Sequence, residues 1–238
     1  MVYLSQLELN PRNRSVLKAL ADTHLMHRML TCSLPDADKG EIGRFLYRIE
    51  VGHGSVRVLA QSEALPKWVA LGEALISIQG PQEMNWQNED KSSKFTIGQQ
   101  FRFRLRANPT FRAGKDSPAT DRGKRLAILD RAGQLAWLER KGVQAGFIIA
   151  PLPEGAEWFD PFGDEPEARA QVHIIPLGFC SGIRNSTEYT MTIKHYSVQF
   201  DGILQVTDPE ALVRAVESGI GSAKGFGFGL LSLARIRG

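Results

Sequence analysis

The chain has 238 residues, 42% of them apolar, which is enough for one large domain or two small ones, each with its own core. Nowhere does it hold a run of about 18 apolar residues, and its first stretch, MVYLSQLELNPRNRS, has neither a basic leader nor an apolar one; a membrane span and a secretion signal are excluded, and a soluble, cytoplasmic protein is expected. Its net charge of +3 conceals an uneven distribution, because residues 101–141 hold 11 Lys or Arg against 4 Asp or Glu while the remainder holds 18 against 22, and such a basic region suits a polyanion.

In chain order, the first half predicts strand 2–9, helix 11–31 with an interruption, strands 42–50 and 55–62, a helix after Pro66 and strand 99–106. The stretch ANPTFRAGKDSPATDRGKR then replaces periodicity with Pro, Gly, Ser and Asp and reads as a linker. The second half predicts strand 124–129, helix 131–141, strand 147–151, a strand pair within 171–206, helix 209–217 and strand 229–236. Both halves follow a βαββαβ order, so the expected class is α+β, two tandem ferredoxin-like (RRM-like) domains at 1–108 and 124–238 joined by linker 109–123. The acidic, proline-rich excursion 153–170 is expected on the surface, away from RNA. Cys32 and Cys180 lie far apart and outside any CxxC spacing, so neither a disulfide framework nor a zinc site is predicted, and both are expected as buried reduced thiols.

Candidate chemistry begins at DTHLMHRML, where Asp22 is suited to cap a helix N-terminus and explains the interruption. At 100° per residue, Leu25, Met26, Met29 and Leu30 share an apolar stripe, and His24, His27 and Arg28 fall on the opposite side. Two imidazoles beside a guanidinium provide what RNA transesterification needs: a base for the 2′-hydroxyl, an acid for the leaving 5′-oxygen and a cation for the crowded phosphate. A solvated, histidine-rich face fits the same residues. A metal does not, since two histidines at i,i+3 lack a third and fourth ligand from HExxH, CxxC or paired carboxylates, and no cofactor is expected.

FRFRLRANP alternates with period 2, placing Phe101, Phe103 and Leu105 on one sheet face and Arg102, Arg104 and Arg106 on the other. That second face is a candidate for phosphate contact, or for pairing with carboxylates on neighbouring strands. Arg112, Lys115, Arg122, Lys124 and Arg125 extend the basic region. The most distinctive run is GIGSAKGFGFGLLSL, where Gly219, Gly221, Gly225, Gly227 and Gly229 surround Lys224; such spacing builds a tight loop that approaches an oxygen ligand, with unusual backbone angles, or lets helix and sheet pack closely. It lies between helix and strand, the reverse of a dinucleotide-binding loop. KGFGF also matches the start of an RRM signature, but too few residues follow it to complete that domain, and packing under the loop is expected for Phe226 and Phe228. His53 sits in a GHG turn, and His173 and His195 in strands, where structural roles are expected; Tyr189 and Tyr196 with Arg184 and Lys194 can line a hairpin near RNA.

LELNPRNR with LADTHLMHRML, FRFRLRANP with GKR, and GIGSAKGFGFGLLSLA together resemble the CasE family, the RNA endonuclease subunit of the type I-E CRISPR Cascade complex. The resemblance spans nearly the whole chain and is weakest at 84–97 and 152–188. It implies that His27, followed by Arg28, is the catalytic histidine, with His24 where some relatives have tyrosine, either assisting proton transfer or only binding. It implies RNA contacts from Arg102, Arg104, Arg106, Arg112, Lys124, Arg125, Arg184, Lys194, Gly221, Lys224, Gly225 and Gly227. The implied activity is metal-independent cleavage of a CRISPR repeat stem-loop at the base of its stem, to a 5′-hydroxyl and a 2′,3′-cyclic phosphate, with the product kept beside other Cascade subunits. The groove-contacting hairpin of relatives is strongly basic, whereas PLGFCSGIRNSTEYTMTIK has only Arg184 and Lys194. A non-catalytic RNA-binding subunit and a general RRM-type module are the alternatives; the first binds without cutting, the second prefers single strands.

Overall fold

The helix interruption falls at an aspartate whose carboxylate can cap the second piece. In the computed structural model, which describes residues 1–35, 37–39, 41–90, 92–115, 118–151, 171–185 and 190–236, α1 (Arg14–Ala21) ends and α2 (Thr23–Thr31) begins at Asp22. Asp22 has extended backbone angles, and its Oδ1 accepts from the N–H groups of His24 (2.9 Å) and Leu25 (3.2 Å), two donors that a helix start leaves unpaired. Of the predicted apolar stripe, Met26 and Leu30 are fully buried, whereas Leu25 is 38% exposed because it lies off the centre of the buried face. Truncating Leu30 to Ala would cost about 2–5 kcal/mol.

Around these helices β1 (Val2–Leu9), β2 (Phe45–Gly52), β3 (Ser55–Ser62) and β4 (Leu75–Met84) form an antiparallel sheet of order β2-β3-β1-β4. Leu7, Leu9, Val58, Tyr47 and Trp68 complete the core beneath them. The helix expected after Pro66 is a 3₁₀ segment, Trp68–Ala74, broken at Gly72 (φ 51°, ψ −130°), and the fourth strand follows it at once. Its β-branched Ile76 and Ile78 favour that extended path.

Strand β5 (Gln100–Ala107) belongs to the other sheet, which corrects its assignment to the first domain. It pairs with β10 (Thr190–Val206) and β11 (Leu231–Arg235), in the order β11-β5-β10-β8, with β8 at Phe147–Ile149 and β9 (Val172–Asn185) also on β10. Its alternation is satisfied by Phe101, Phe103 and Leu105 entering the second core with Phe147, Phe200 and Leu204. The chain therefore changes sheet between Met84 and Gln100, and β5, not residues 124–129, opens the second βαββαβ unit. The expected linker contains β6 (Thr110–Arg112), and its partner β7 (Arg125–Ala127) forms a separate two-stranded ribbon with it. Helices α3 (Arg131–Gln144) and α4 (Pro209–Ser218) cover this sheet, capped by Asp130 and Asp208. In each unit the fourth strand lies beside the first, which neighbours the third, the order of a ferredoxin-like sheet.

Two cores are thus joined by a polar seam. Gln61 Nε2 donates to the carbonyls of Val216 (2.9 Å) and Glu217 (3.2 Å) at the end of α4, and Arg48 Nη1 donates to Ser232 Oγ (2.7 Å). Thr23 Oγ1 donates to the Ser181 carbonyl (3.1 Å), and the Ile183 N–H donates to Asp22 (3.2 Å to Oδ2). Buried polar groups need such partners, so the seam fixes how the domains meet. Cys32 is exposed and Cys180 half-buried, both as free thiols; Cys32 ends α2 at the surface, its thiol against the Met29 carbonyl, which overturns the expectation that it is buried. No helix among the described residues is long and apolar enough to cross a membrane. The excursion 153–170 and Tyr189 lie outside the described residues, as does the side chain of Arg184.

Candidate functional site

The polar side of α2 faces the second domain across the seam. His27 packs on Tyr47, their ring centroids 6.1 Å apart and planes 23° from parallel, with Phe45 at 6.1 Å on a tilt. Its Nδ1 is enclosed without a hydrogen-bond partner. Burial, and secondarily the like charge of His24, lower its pKa below the usual imidazole value, because both disfavour the cation. His27 is therefore neutral at pH 7, the form that accepts a proton. His24, three residues earlier, packs against β9, where a Cβ at Gly182 would come within 2.9 Å of its backbone nitrogen. Arg28 is exposed in the last turn of the helix.

The glycine-rich run covers this helix from the other domain. Gly225 sits in a 3₁₀ turn, Lys224–Phe226, and a Cβ there would lie 3.7 Å from Cε1 and Nε2 of His27. Its φ is outside the left-handed region, so the unusual angles expected at this position occur instead at neighbours such as Gly227 (φ 81°), where a Cβ would press on Tyr47 at 3.1 Å. The loop is anchored from below: the Gly229 N–H donates to the Arg106 carbonyl (2.8 Å), Phe228 is fully buried, and Phe226 rests 4.7 Å from the ring of His195. His195 in turn accepts at Nδ1 from Asn108 Nδ2 (3.1 Å), given its Nε2–H tautomer.

Three arginines on β5 have three fates. Arg104 binds Asp201 through Nε (2.7 Å) and Nη2 (2.9 Å) and reaches Glu50 with Nη1 (3.1 Å). Arg106 is half-buried, donates through Nε to Ser197 Oγ (2.7 Å) and stands 5.6 Å over the ring of Phe228. Both serve the seam. Only Arg102 is exposed, beside Arg48 and His173, near the far end of the strand.

A second group of cations is assembled from elements distant in sequence. Arg112 and Arg125, paired across the β6–β7 ribbon, Arg140 and Lys141 on α3, Arg214 on α4 and Lys224 line one open cleft, together with Gly221. Among the described residues, no carboxylate lines it. Lys224 uses one donor on the Ser218 carbonyl (2.7 Å) at the end of α4, and burial with the nearby charges of Arg44 and Lys141 lowers its pKa. Lys124 is exposed on the ribbon, 3.5 Å from Asp121, and Lys194 is exposed on the hairpin. Lys224, which lines the cleft, adjoins Gly225, which covers His27. Among the described residues, no three His, Cys, Asp or Glu side chains converge as metal ligands.

The sequence model of the family described as CRISPR associated protein matches residues 2–235. The chain belongs to this CRISPR-associated family. The CRISPR-associated endoribonuclease Cse3 of Thermus thermophilus is 32% identical over 237 residues, covering 98% of this chain and all of the relative. Thermus thermophilus Cse3 bound to an RNA representing a pre-cleavage complex superposes with a TM-score of 0.73 at 31% identity, over 98% of each chain. The crystal structure of Cas6e from Escherichia coli K-12 gives 0.60 at 25% identity, over 98% of this chain and all of that one.

For this CRISPR-associated chain, sequence reasoning missed Arg140, Lys141 and Arg214, which carry no local pattern and meet only through the fold. It also missed Tyr47, which reads as an ordinary core residue in FLYRIEV. A signal did exist for the α3 pair, since Arg140 and Lys141 fall within the basic region already counted, 101–141.

Proposed function

We propose that the chain is a metal-independent endoribonuclease that binds the stem-loop of a CRISPR repeat transcript in the cytoplasm and cuts it at the base of the stem. The observation that carries this reading is the enclosed, proton-accepting His27 beneath a glycine-rich loop whose Lys224 lines a cleft in which, among the described residues, the charged side chains are all cations. His27 takes the proton of the attacking 2′-hydroxyl; the oxygen closes on the adjacent phosphorus, the 5′-oxygen leaves with a proton, and a 2′,3′-cyclic phosphate and a 5′-hydroxyl result. Arg28 is placed to hold the phosphate, and His24 to supply the second imidazole. Backbone phosphates of the stem follow Arg112, Arg125, Arg140, Lys141, Arg214 and Lys224, with Lys124 and Lys194 at the margins. Arg104, ion-paired with Asp201 and Glu50, and Arg106, half-buried with Nε on Ser197 Oγ, support the seam instead. Slow release of the cut stem retains the guide and makes the protein a Cascade subunit, as the family membership suggests.

Single-turnover cleavage of the organism's repeat RNA tests this. EDTA should leave the rate unchanged, and a 2′-deoxy nucleotide just upstream of the scissile phosphate should abolish it. His27→Ala should keep affinity while slowing cleavage by about 10²- to 10⁴-fold. Binding of the wild-type protein without scission would support a non-catalytic subunit instead.

A further inference from the structure

A buried phenol lies where the two domains close on His27. Tyr47, on β2, is fully buried, and its ring backs the imidazole. Its hydroxyl stands 3.4 Å from the carbonyl of Thr23, in the first turn of α2, and 3.3 Å from the carbonyl of Gly225 in the glycine-rich loop. One side chain thus touches the imidazole, the helix that carries it and the loop that covers it. The loop also rests on the ring at Gly227, where a Cβ would come within 3.1 Å of Cε2.

Two properties separate this residue from the reacting groups. Burial raises the phenol pKa above its ordinary value, so the O–H keeps its proton and serves only as a donor towards these carbonyls. With no exposed surface, it also offers nothing to RNA. A single proton facing two carbonyls at nearly equal distance is shared between them, which links the position of the helix start to that of the loop.

We propose that Tyr47 is the positioning residue of the site: its ring fixes the plane of His27, and its hydroxyl holds the first turn of α2 and the glycine-rich loop at the spacing that encloses the imidazole. The proposal rests on the reading of His27 as the proton-transfer residue. It explains why a tyrosine stands in a core strand where phenylalanine would fill nearly the same volume: only the hydroxyl can donate to a carbonyl of each domain.

The test compares wild type, Tyr47→Phe, His27→Ala and the double variant, each with repeat RNA, together with an NMR titration of the His27 ring in the RNA-free protein. Tyr47→Phe should bind RNA within about twofold of wild type and cleave it about 10- to 100-fold more slowly, the usual cost of a misplaced catalytic group. Its His27 titration midpoint should rise towards the ordinary imidazole value as the cover loosens. In the His27→Ala background the same change should cost nothing further, because Tyr47 acts through that ring. A wild-type rate with an unmoved titration would overturn the proposal, as would an equal loss of rate in both backgrounds. If His27→Ala itself cleaves normally, the reading of His27 fails first; the titration then decides for or against Tyr47 alone. Should Tyr47→Phe not fold, Gly227→Ala presses on the same ring from the loop, and it must move the His27 titration for the proposal to stand.

Discussion

The seam and the cleft are both rich in arginine, yet they use it in opposite ways. Arg48 and Arg104 meet Glu50 and Asp201, so their charge is paired inside the molecule, while Arg106 gives its Nε donor to Ser197 and stands half-buried over the ring of Phe228. Arg112, Arg125, Arg140, Lys141 and Arg214 line a cleft with, among the described residues, no carboxylate on its walls. A basic stretch in a sequence counts cations without saying which are already neutralised. The strand with the most regular arginine spacing turns out to hold the domains together, while the cations open to a polyanion come from a ribbon and two helices.

Substitutions can break this contrast. The largest effect is expected from replacing Arg112, Arg140 and Arg214 together by Ala: near 0.1 M salt, RNA affinity should fall on the order of 10²- to 10³-fold, and the slope of log affinity against log salt should flatten by about three. Filter binding across a salt series measures both, and an unchanged slope would remove the cleft from the RNA path. Arg106→Ala comes next, and it should act on stability instead, by about 1–3 kcal/mol in denaturant unfolding, because it strips a half-buried hydrogen-bonded guanidinium from beneath the loop. Arg104→Ala should cost less, about 1 kcal/mol at most, since that side chain is 41% exposed and its ion pairs are partly screened.

Helix α2 repeats the contrast on a smaller scale, with one imidazole enclosed and one set against the hairpin. The pKa of His27 is lowered, so its neutral, proton-accepting form persists below the pH at which a free imidazole charges. The acid limb of the cleavage rate should therefore lie below about pH 6.5. His24→Ala removes the smaller of the two depressing causes, so the limb should move upward by a fraction of a pH unit; a shift downward would contradict the like-charge argument. For folding the sign is the same: the unfolded chain binds the His27 proton first as pH falls, so stability falls between about pH 6.5 and the lowered pKa. The smallest effect is expected at Arg102, exposed at the far end of β5, where Ala should change stability by no more than about 0.5 kcal/mol and the salt slope by less than one.

Much of the site was legible because it is local. The break at Asp22, the pairing of His24 with His27 and the glycine run each depend on a few adjacent residues whose backbone chemistry is specific. The two ferredoxin-like units were legible from the order of elements, but the membership of β5 was not, since alternation tells which face is apolar and not which sheet the strand will join. The strand at 75–84 was hidden behind Pro66, which signals a helix start in sequence and here begins a broken 3₁₀ segment. The partners of Arg104 lie 54 and 97 residues away, and no spacing in FRFRLRANP announces them.

The hydrogen bonds from Ile183 to Asp22 and from Thr23 to Ser181 have one more consequence. They make α2 begin against a hairpin of the other domain, so the candidate site has no existence in either domain alone. Each unit has its own core and sheet, yet the His27 ring, the proposed proton-transfer group, is roofed by its neighbour's loop. Mild urea that separates the units before melting them should silence cleavage while circular dichroism still reports intact helices and sheets. In that sense the chain resembles a dimer written on one polypeptide, and the proposed cleavage would be an assay for the docking of its own two halves.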